Sequence, residues 1–291
     1  MKNNEITSIL GVILAAAIGA GIAVAGSTNS VSKSGIPLFL SAITAAYLIQ
    51  WVCFVFAYIM KSERFFDLVG SLTYISVTTI TVLLVPQINR RTVLLLVLIV
   101  VWATRLGTFL FTRIQKAGSD DRFDEIKNSF SRFLLTWTIQ GLWVSLTAAA
   151  ALAAITSTTQ KDLGWFGLLG FVIWVFGYFI ELLADVQKSQ FKANSNNQGK
   201  FIQTGLWAWS RHPNYFGEIL IWVGIAIIAF PALQGWARLT LISPLWVILQ
   251  LTVISGIPML EKKADRKWGG QEDYEQYKRK TPILLLKPPS K

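Results

Sequence analysis

Five charged side chains lie inside stretches of the chain that are otherwise apolar: Asp67, Arg105, Glu181, Asp185 and Glu218. A charge at the depth of a membrane span costs about 2.5 kcal/mol or more, so each is a functional candidate by default. Glu181 and Asp185 are four residues apart and share a helical face, as do Asn214 and Glu218. Arg211-His212-Pro213-Asn214 opens a helix, because proline suits the first helical position. A helix start offers free N–H groups and partial positive charge to a phosphate or carboxylate. Between the two acid-bearing spans runs a polar segment, 188–200, with Lys188, Lys192, Lys200, Asn194, Asn196 and Asn197. This combination suits the holding of an anionic ligand above membrane-embedded carboxylates. With one histidine, His212, and one cysteine, Cys53, the chain has no His-rich or Cys-based metal site and no internal disulfide.

The elements that position these groups follow from composition. Of 291 residues, 53% are hydrophobic and 15% charged, against about 25% charged in a soluble domain. Eight windows of roughly 20 apolar residues fall near 7–26, 36–60, 65–85, 92–112, 133–155, 163–187, 214–230 and 237–258. The fold expected is an all-α, polytopic membrane helical bundle of about eight spans, with N-terminal spans over 1–60 and a second domain over 61–291. The first window is a retained span or, if cleaved, a signal segment that leaves seven. Its glycines, Gly19, Gly21 and Gly26, suit a small-residue packing face.

Lys2, Lys61, Arg64, Arg113, Lys116, Arg122, Lys127, Arg132, Lys188, Lys192, Lys200, Arg211 and nine tail cations fall on one side of this topology. Only Lys33, Arg90, Arg91, Lys161 and Arg238 fall on the other. By the positive-inside rule both termini are cytoplasmic, and all five intramembrane charges lie in the cytoplasmic half. The net charge of +11 is therefore read against a membrane and an anionic ligand, and no nucleic acid is implied. Plainer roles compete. Arg105 can snorkel to headgroups, Asp67 can cap its own helix, Arg113 can be a topology signal, and Trp207 and Trp209 can belong to an interfacial aromatic belt.

Three blocks carry a resemblance. Gly205-Leu206-Trp207 followed by Ser210-Arg211-His212-Pro213-Asn214-Tyr215-Phe216-Gly217-Glu218 resembles the C-terminal domain of the steroid 5α-reductase family, more closely its bacterial branch long described as a domain of unknown function. Trp102-Ala103-Thr104-Arg105-Leu106-Gly107, with Arg113 and Asp121-Arg122-Phe123, is similar to that branch's central segment. Asp273-Tyr274-Glu275-Gln276-Tyr277 with Thr281-Pro282 resembles its closing motif. The resemblance implies a membrane enzyme that takes NADPH from the cytosol and reduces a carbon–carbon double bond conjugated to a ketone in an apolar substrate drawn from the bilayer. It places Asp185, Lys192, Asn196 or Asn197, Asn214 and Glu218 at the cofactor, with Glu181, Arg211, His212 and Tyr215 beside them and Tyr274 and Tyr277 closing over the adenosine end.

At the substrate end the pattern departs. The family's early glutamate is matched here only by Asp67, and Trp102 stands where its tyrosine would be. Trp donates one N–H and has no ionisable hydroxyl. Asp67 is expected as the substrate-end acid, with Trp102 packing on the substrate and Arg105 nearby. Desolvation would keep Asp67 neutral and donating, whereas an inward Arg105 would hold it ionised. The Arg-His-Pro-x-Tyr block is shared with membrane methyltransferases of the isoprenylcysteine carboxyl type, so a donor site for S-adenosylmethionine is the rival reading. No flavin or metal motif is visible, and the compact loops suit a bacterial inner membrane.

The charge asymmetry makes a direct prediction. In a Cys53→Ala background, Lys200→Cys is expected to react with an impermeant maleimide only from the cytoplasmic side, and Lys161→Cys only from the opposite side. The reverse labelling would invert the topology.

Overall fold

The structure is a computed structural model that describes residues 2–118 and 123–289. Asp121 and Arg122, quoted above for their resemblance, lie outside the described residues. The chain begins with α1 (Lys2–Ser27), a two-residue hairpin of β1 (Ser32–Lys33) and β2 (Ile36–Pro37), then α2 (Leu38–Ile59), α3 (Phe66–Leu84), α4 (Arg90–Ala117) and α5 (Phe130–Ile155). It continues with α6 (Gly164–Ala193), α7 (Pro213–Ala229), α8 (Ser243–Leu249), α9 (Gly256–Trp268) and α10 (Glu272–Lys280). Eight helical segments among the described residues are long and apolar enough to cross a bilayer, as the hydropathy windows predict.

Two spans differ from the expected windows. Helix α6 continues to Ala193, so Lys188 and Lys192 stand on helix rather than in the polar connection. The eighth span is not one helix. It comprises a 3-10 stretch (Gly235–Ile242), α8, a π-helical turn (Gln250–Ile254) and α9. Pro258 explains part of the break, because it has no N–H to offer the carbonyl four residues back and its ring clashes there.

The chain forms two compact units. The first holds residues 1–166 and 228–243, with α5 at its centre. Every residue of α5 from Val144 to Ile155 is buried, and its alanines let α1 and α2 pack closely. Gly19 and Gly26 of α1 do serve as packing positions, against Tyr47 and Phe39, whereas Gly21 faces open space. Arg91 is buried and donates to the carbonyls of Ile228, Lys161 and Asp162 at 3.0, 2.6 and 2.7 Å. A cation placed on the poorer side of the charge count is thus a structural clasp.

The second unit holds residues 167–227 and 244–291. Here α6 and α7 meet backbone to backbone. A Cβ on Gly177 would lie 2.6 Å from the Gly217 carbonyl oxygen, and one on Gly217 would lie 2.6 Å from the Glu181 nitrogen. Gly224 repeats the contact one heptad on, 2.5 Å from the Gly170 oxygen. Only glycine permits this approach.

Gly177→Ala is therefore expected to destabilise the protein by about 1–3 kcal/mol, the usual cost of overpacking. Gly21→Ala should be neutral or stabilising by up to about 1 kcal/mol, since it adds helix propensity without a clash. Thermal unfolding in detergent compares the two, and equal effects would refute the contact.

Candidate functional site

The site is built on the second unit from four pieces. The first is the α6–α7 contact, which sets buried Glu181 beside Gly217 and hence next to Glu218, also buried. Asp185 lies one turn further along α6 and is buried as well.

The second piece is the segment 205–212, which docks on α6. Leu206 N–H donates to Gln187 Oε1 at 2.9 Å, and Trp207 Nε1–H donates to the Ala184 carbonyl at 3.0 Å. Lys188 Nζ sits 4.1 Å from the Trp207 ring centroid, a cation–π contact. Trp207 is thus a buried pillar rather than a member of an aromatic belt, while Trp209 is exposed. As expected, α7 starts at Pro213.

The third piece is an ionic clamp. Glu261 of α9 accepts from Arg211 Nη1 through one oxygen and meets His212 Nε2 at 2.8 Å through the other. His212 stacks on Tyr215 with ring centroids 5.6 Å apart. Burial holds the His212 imidazole below its ordinary pKa of 6.5, against the opposing pull of Glu261. The ring is therefore neutral at pH 7, with Nε2–H donating to Glu261 and Nδ1 left as an acceptor. His212 Nδ1, Arg211 Nε and Asn214 Oδ1 are all buried without a hydrogen-bond partner among the described residues. These three orphaned atoms, two acceptors and one donor, fit a polar ligand at the start of α7 that carries both hydrogen-bond donors and an acceptor.

The fourth piece is the C-terminal strap. Tyr274 Oη–H donates to Asp265 Oδ1 at 2.9 Å, and Tyr277 Oη–H donates to the Trp207 carbonyl at 2.7 Å. Burial pushes both phenols well above their ordinary pKa, so they stay protonated donors. Lys278 Nζ reaches Asp265 at 2.8 Å. Arg211 N–H donates to the Pro282 carbonyl at 2.9 Å, and Ser210 Oγ–H to that of Leu284 at 2.9 Å. The loop asparagines serve their own turn: Asn194 Oδ1 accepts from Asn196 N–H at 3.0 Å, and Asn197 Nδ2 donates to the Phe191 carbonyl at 3.0 Å. Lys192 is exposed at the end of α6.

The expected substrate-end residues belong to the first unit. Asp67 stands in the first turn of α3, with Arg113 Nη2 3.8 Å from its Oδ2. Trp102 is buried and meets the Tyr74 ring edge-on, with centroids 5.2 Å apart. Arg105 lies 5.8 Å from the Phe109 ring centroid. Sequence reasoning passed over Glu261, Asp265 and Tyr74. The first two had a signal: Glu261-Lys262-Lys263-Ala264-Asp265 puts two acids at i,i+4 in an otherwise basic stretch.

Comparison with known proteins gives this arrangement a family. Residues 53–281 match the family described as a protein of unknown function, DUF1295, and the chain belongs to that family. The family is related to steroid 5α-reductase-like proteins. An uncharacterized protein of Schizosaccharomyces pombe is 24% identical over 179 residues, 51% of this chain and 52% of that protein. The Delta(14)-sterol reductase ERG24 of Saccharomyces cerevisiae is 29% identical over 144 residues, 46% of this chain and 31% of that enzyme. The chain spans about half the length of the first relative and under a third of the second. No solved structure matches it.

With a single histidine, the clamp has a readable pH signature. The unfolded chain takes up a proton near pH 6.5 that the folded state refuses, so stability should fall as pH drops below about 6.5. Melting temperature measured from pH 7.5 to 5.5 is expected to decline in the wild type and to lose that His-dependent slope in His212→Gln. Glu261→Gln should cost about 1–3 kcal/mol at pH 7 by leaving a charged donor poorly paired. A wild type that gains stability on acidification relative to His212→Gln would mean that Glu261 holds an imidazolium instead.

Proposed function

We propose that the protein is an integral membrane reductase that uses NADPH to reduce a carbon–carbon double bond conjugated to a ketone in an apolar, steroid-like or isoprenoid substrate. The observation that carries the reading is the set of orphaned buried atoms at the start of α7, Arg211 Nε, His212 Nδ1 and Asn214 Oδ1, beside the acid-bearing α6–α7 contact. Family membership and the distant likeness to a sterol reductase support it.

In this reading Arg211 offers Nε–H to a phosphate oxygen while Glu261 fixes the guanidinium plane. Lys188 and Lys192 add positive charge along the end of α6, and the free N–H groups at the start of α7 add more. Asn214 and Glu218, one turn apart on α7, accept from the ligand's amide and hydroxyl donors. Asp185 and Glu181 line the same face of α6, while Tyr277 ties the strap to Trp207 and Tyr274 ties it to Asp265 of α9. When bound, NADPH supplies the hydride. A conjugated ketone reduced there would need a hydrogen-bond donor at its carbonyl oxygen, and such a donor is worth most in a dry cavity. Asp67 and Trp102 are our candidates for that oxygen, with Arg113 and Arg105 setting the charge around Asp67. The cofactor site faces the cytoplasm, on the side that carries most of the cations, in a bacterial inner membrane.

Thermal stability of the purified protein tests the assignment. A ligand that binds only the fold, at one hundred times its dissociation constant, adds about 2.7 kcal/mol. NADPH is expected to give that shift, and Asn214→Ala and Glu218→Ala to lose it. A shift with S-adenosylmethionine and none with NADPH would overturn the reading in favour of a methyltransferase. Asp67→Asn should leave the NADPH shift intact and abolish enone reduction, and full turnover in that variant would remove Asp67 from its role.

A further inference from the structure

The last membrane span carries a polar pair that the cofactor reading does not use. Where α8 passes into the π-helical turn, Gln250 is 2% exposed and its Oε1 has no hydrogen-bond partner among the described residues. Trp246 Nε1 is likewise buried and without a partner among them. Four residues separate the two, about one helical turn, so the two residues share a face of this span. An unsatisfied buried polar group is a standing cost, and the hydrocarbon core has no water to relieve it.

The backbone adds an independent observation. π-helical turns are rare and concentrate at functional sites. Here Ser255 N–H donates to the Gln250 carbonyl, five residues back, at 3.0 Å. The turn is anchored to the start of α7, because a Cβ on Gly256 would lie 2.9 Å from the Tyr215 ring. Leu245, Leu249 and Val253 are exposed on the same span, an apolar surface open to lipid.

We propose that Trp246 and Gln250 bind the single hydroxyl group of an otherwise apolar molecule that enters from the bilayer. The two atoms are complementary to a hydroxyl. An indole N–H can only donate, and an amide oxygen can only accept. A hydroxyl oxygen accepts from Trp246 while its proton goes to Gln250. A ketone accepts from Trp246 and leaves Gln250 Oε1 unserved, and a hydrocarbon serves neither. The site holds a lipid alcohol, and it stands whether or not the protein binds a nicotinamide nucleotide.

The test uses the whole chain in detergent with no nucleotide present, so its outcome does not depend on the cofactor assignment. The probes are two matched sets: farnesol, farnesal and farnesene, and cholestanol, cholestanone and cholestane. The alcohol of at least one set should raise the melting temperature more than its carbonyl and hydrocarbon counterparts, with at least tenfold tighter apparent binding. Gln250→Leu should erase that preference while leaving the melting temperature of the unliganded protein unchanged or higher, since it removes an orphaned acceptor. Trp246→Phe keeps the aromatic body without the N–H and should erase the preference too, so the test still decides if the leucine variant fails to fold. Absence of any alcohol preference in the wild type, or its survival in both variants, would overturn the proposal.

Discussion

The approach of α6 to α7 through bare backbone is the constraint on which the second unit depends. In a bilayer, helices gain nothing by hiding apolar surface from one another, so association rests on close packing and on polar contacts. Gly170 and Gly177 of α6 face Gly224 and Gly217 of α7, each pair seven residues apart, close to two full turns. The peptide groups themselves set the separation. That is why two helices bearing Glu181, Asp185 and Glu218 stay adjacent despite the repulsion that three carboxylates would feel if ionised together.

The ionic clamp shows how a site is held ready. Arg211 and His212 each use one nitrogen on Glu261 and keep another, Nε and Nδ1, without a partner among the described residues. The half that is satisfied fixes the orientation of the half that is not. Asp265 supports the arrangement from one turn further along α9 by gathering Tyr274 and Lys278. A ligand arriving there meets groups whose rotamers are already chosen, which lowers the entropy it must offset on binding.

Much of the fold was legible because membrane solvation is so selective. Eight apolar windows became eight helical segments, and Pro213 marked the start of α7 to the residue. What stayed hidden has physical reasons. Lys188 and Lys192 looked like loop residues, yet Lys188 settles on the Trp207 ring and the helix simply runs on to Ala193. The break in the eighth span reflects Pro258 and the π turn, which hydropathy averages away. Glu261 was concealed by its neighbours, since a carboxylate among lysines reads as solvated surface until the fold brings Arg211 and His212 to it. At Trp102 the sequence showed a missing phenol, and only packing revealed that the ring beside it is Tyr74.

The strap has a consequence for how the protein is made. Residues 207–211 take hydrogen bonds from or to Tyr277, Pro282, Leu284 and Lys287. Ribosomes deliver these partners after every membrane helix. In the segment that leads into α7, the carbonyls of Trp207 and Trp209, the Arg211 N–H and the Ser210 hydroxyl must therefore wait for these partners until synthesis has passed residue 287. Insertion of the spans and completion of the candidate site are separate events in time, and a nascent chain stalled before that point would be a membrane-inserted protein whose C-terminal strap is still missing.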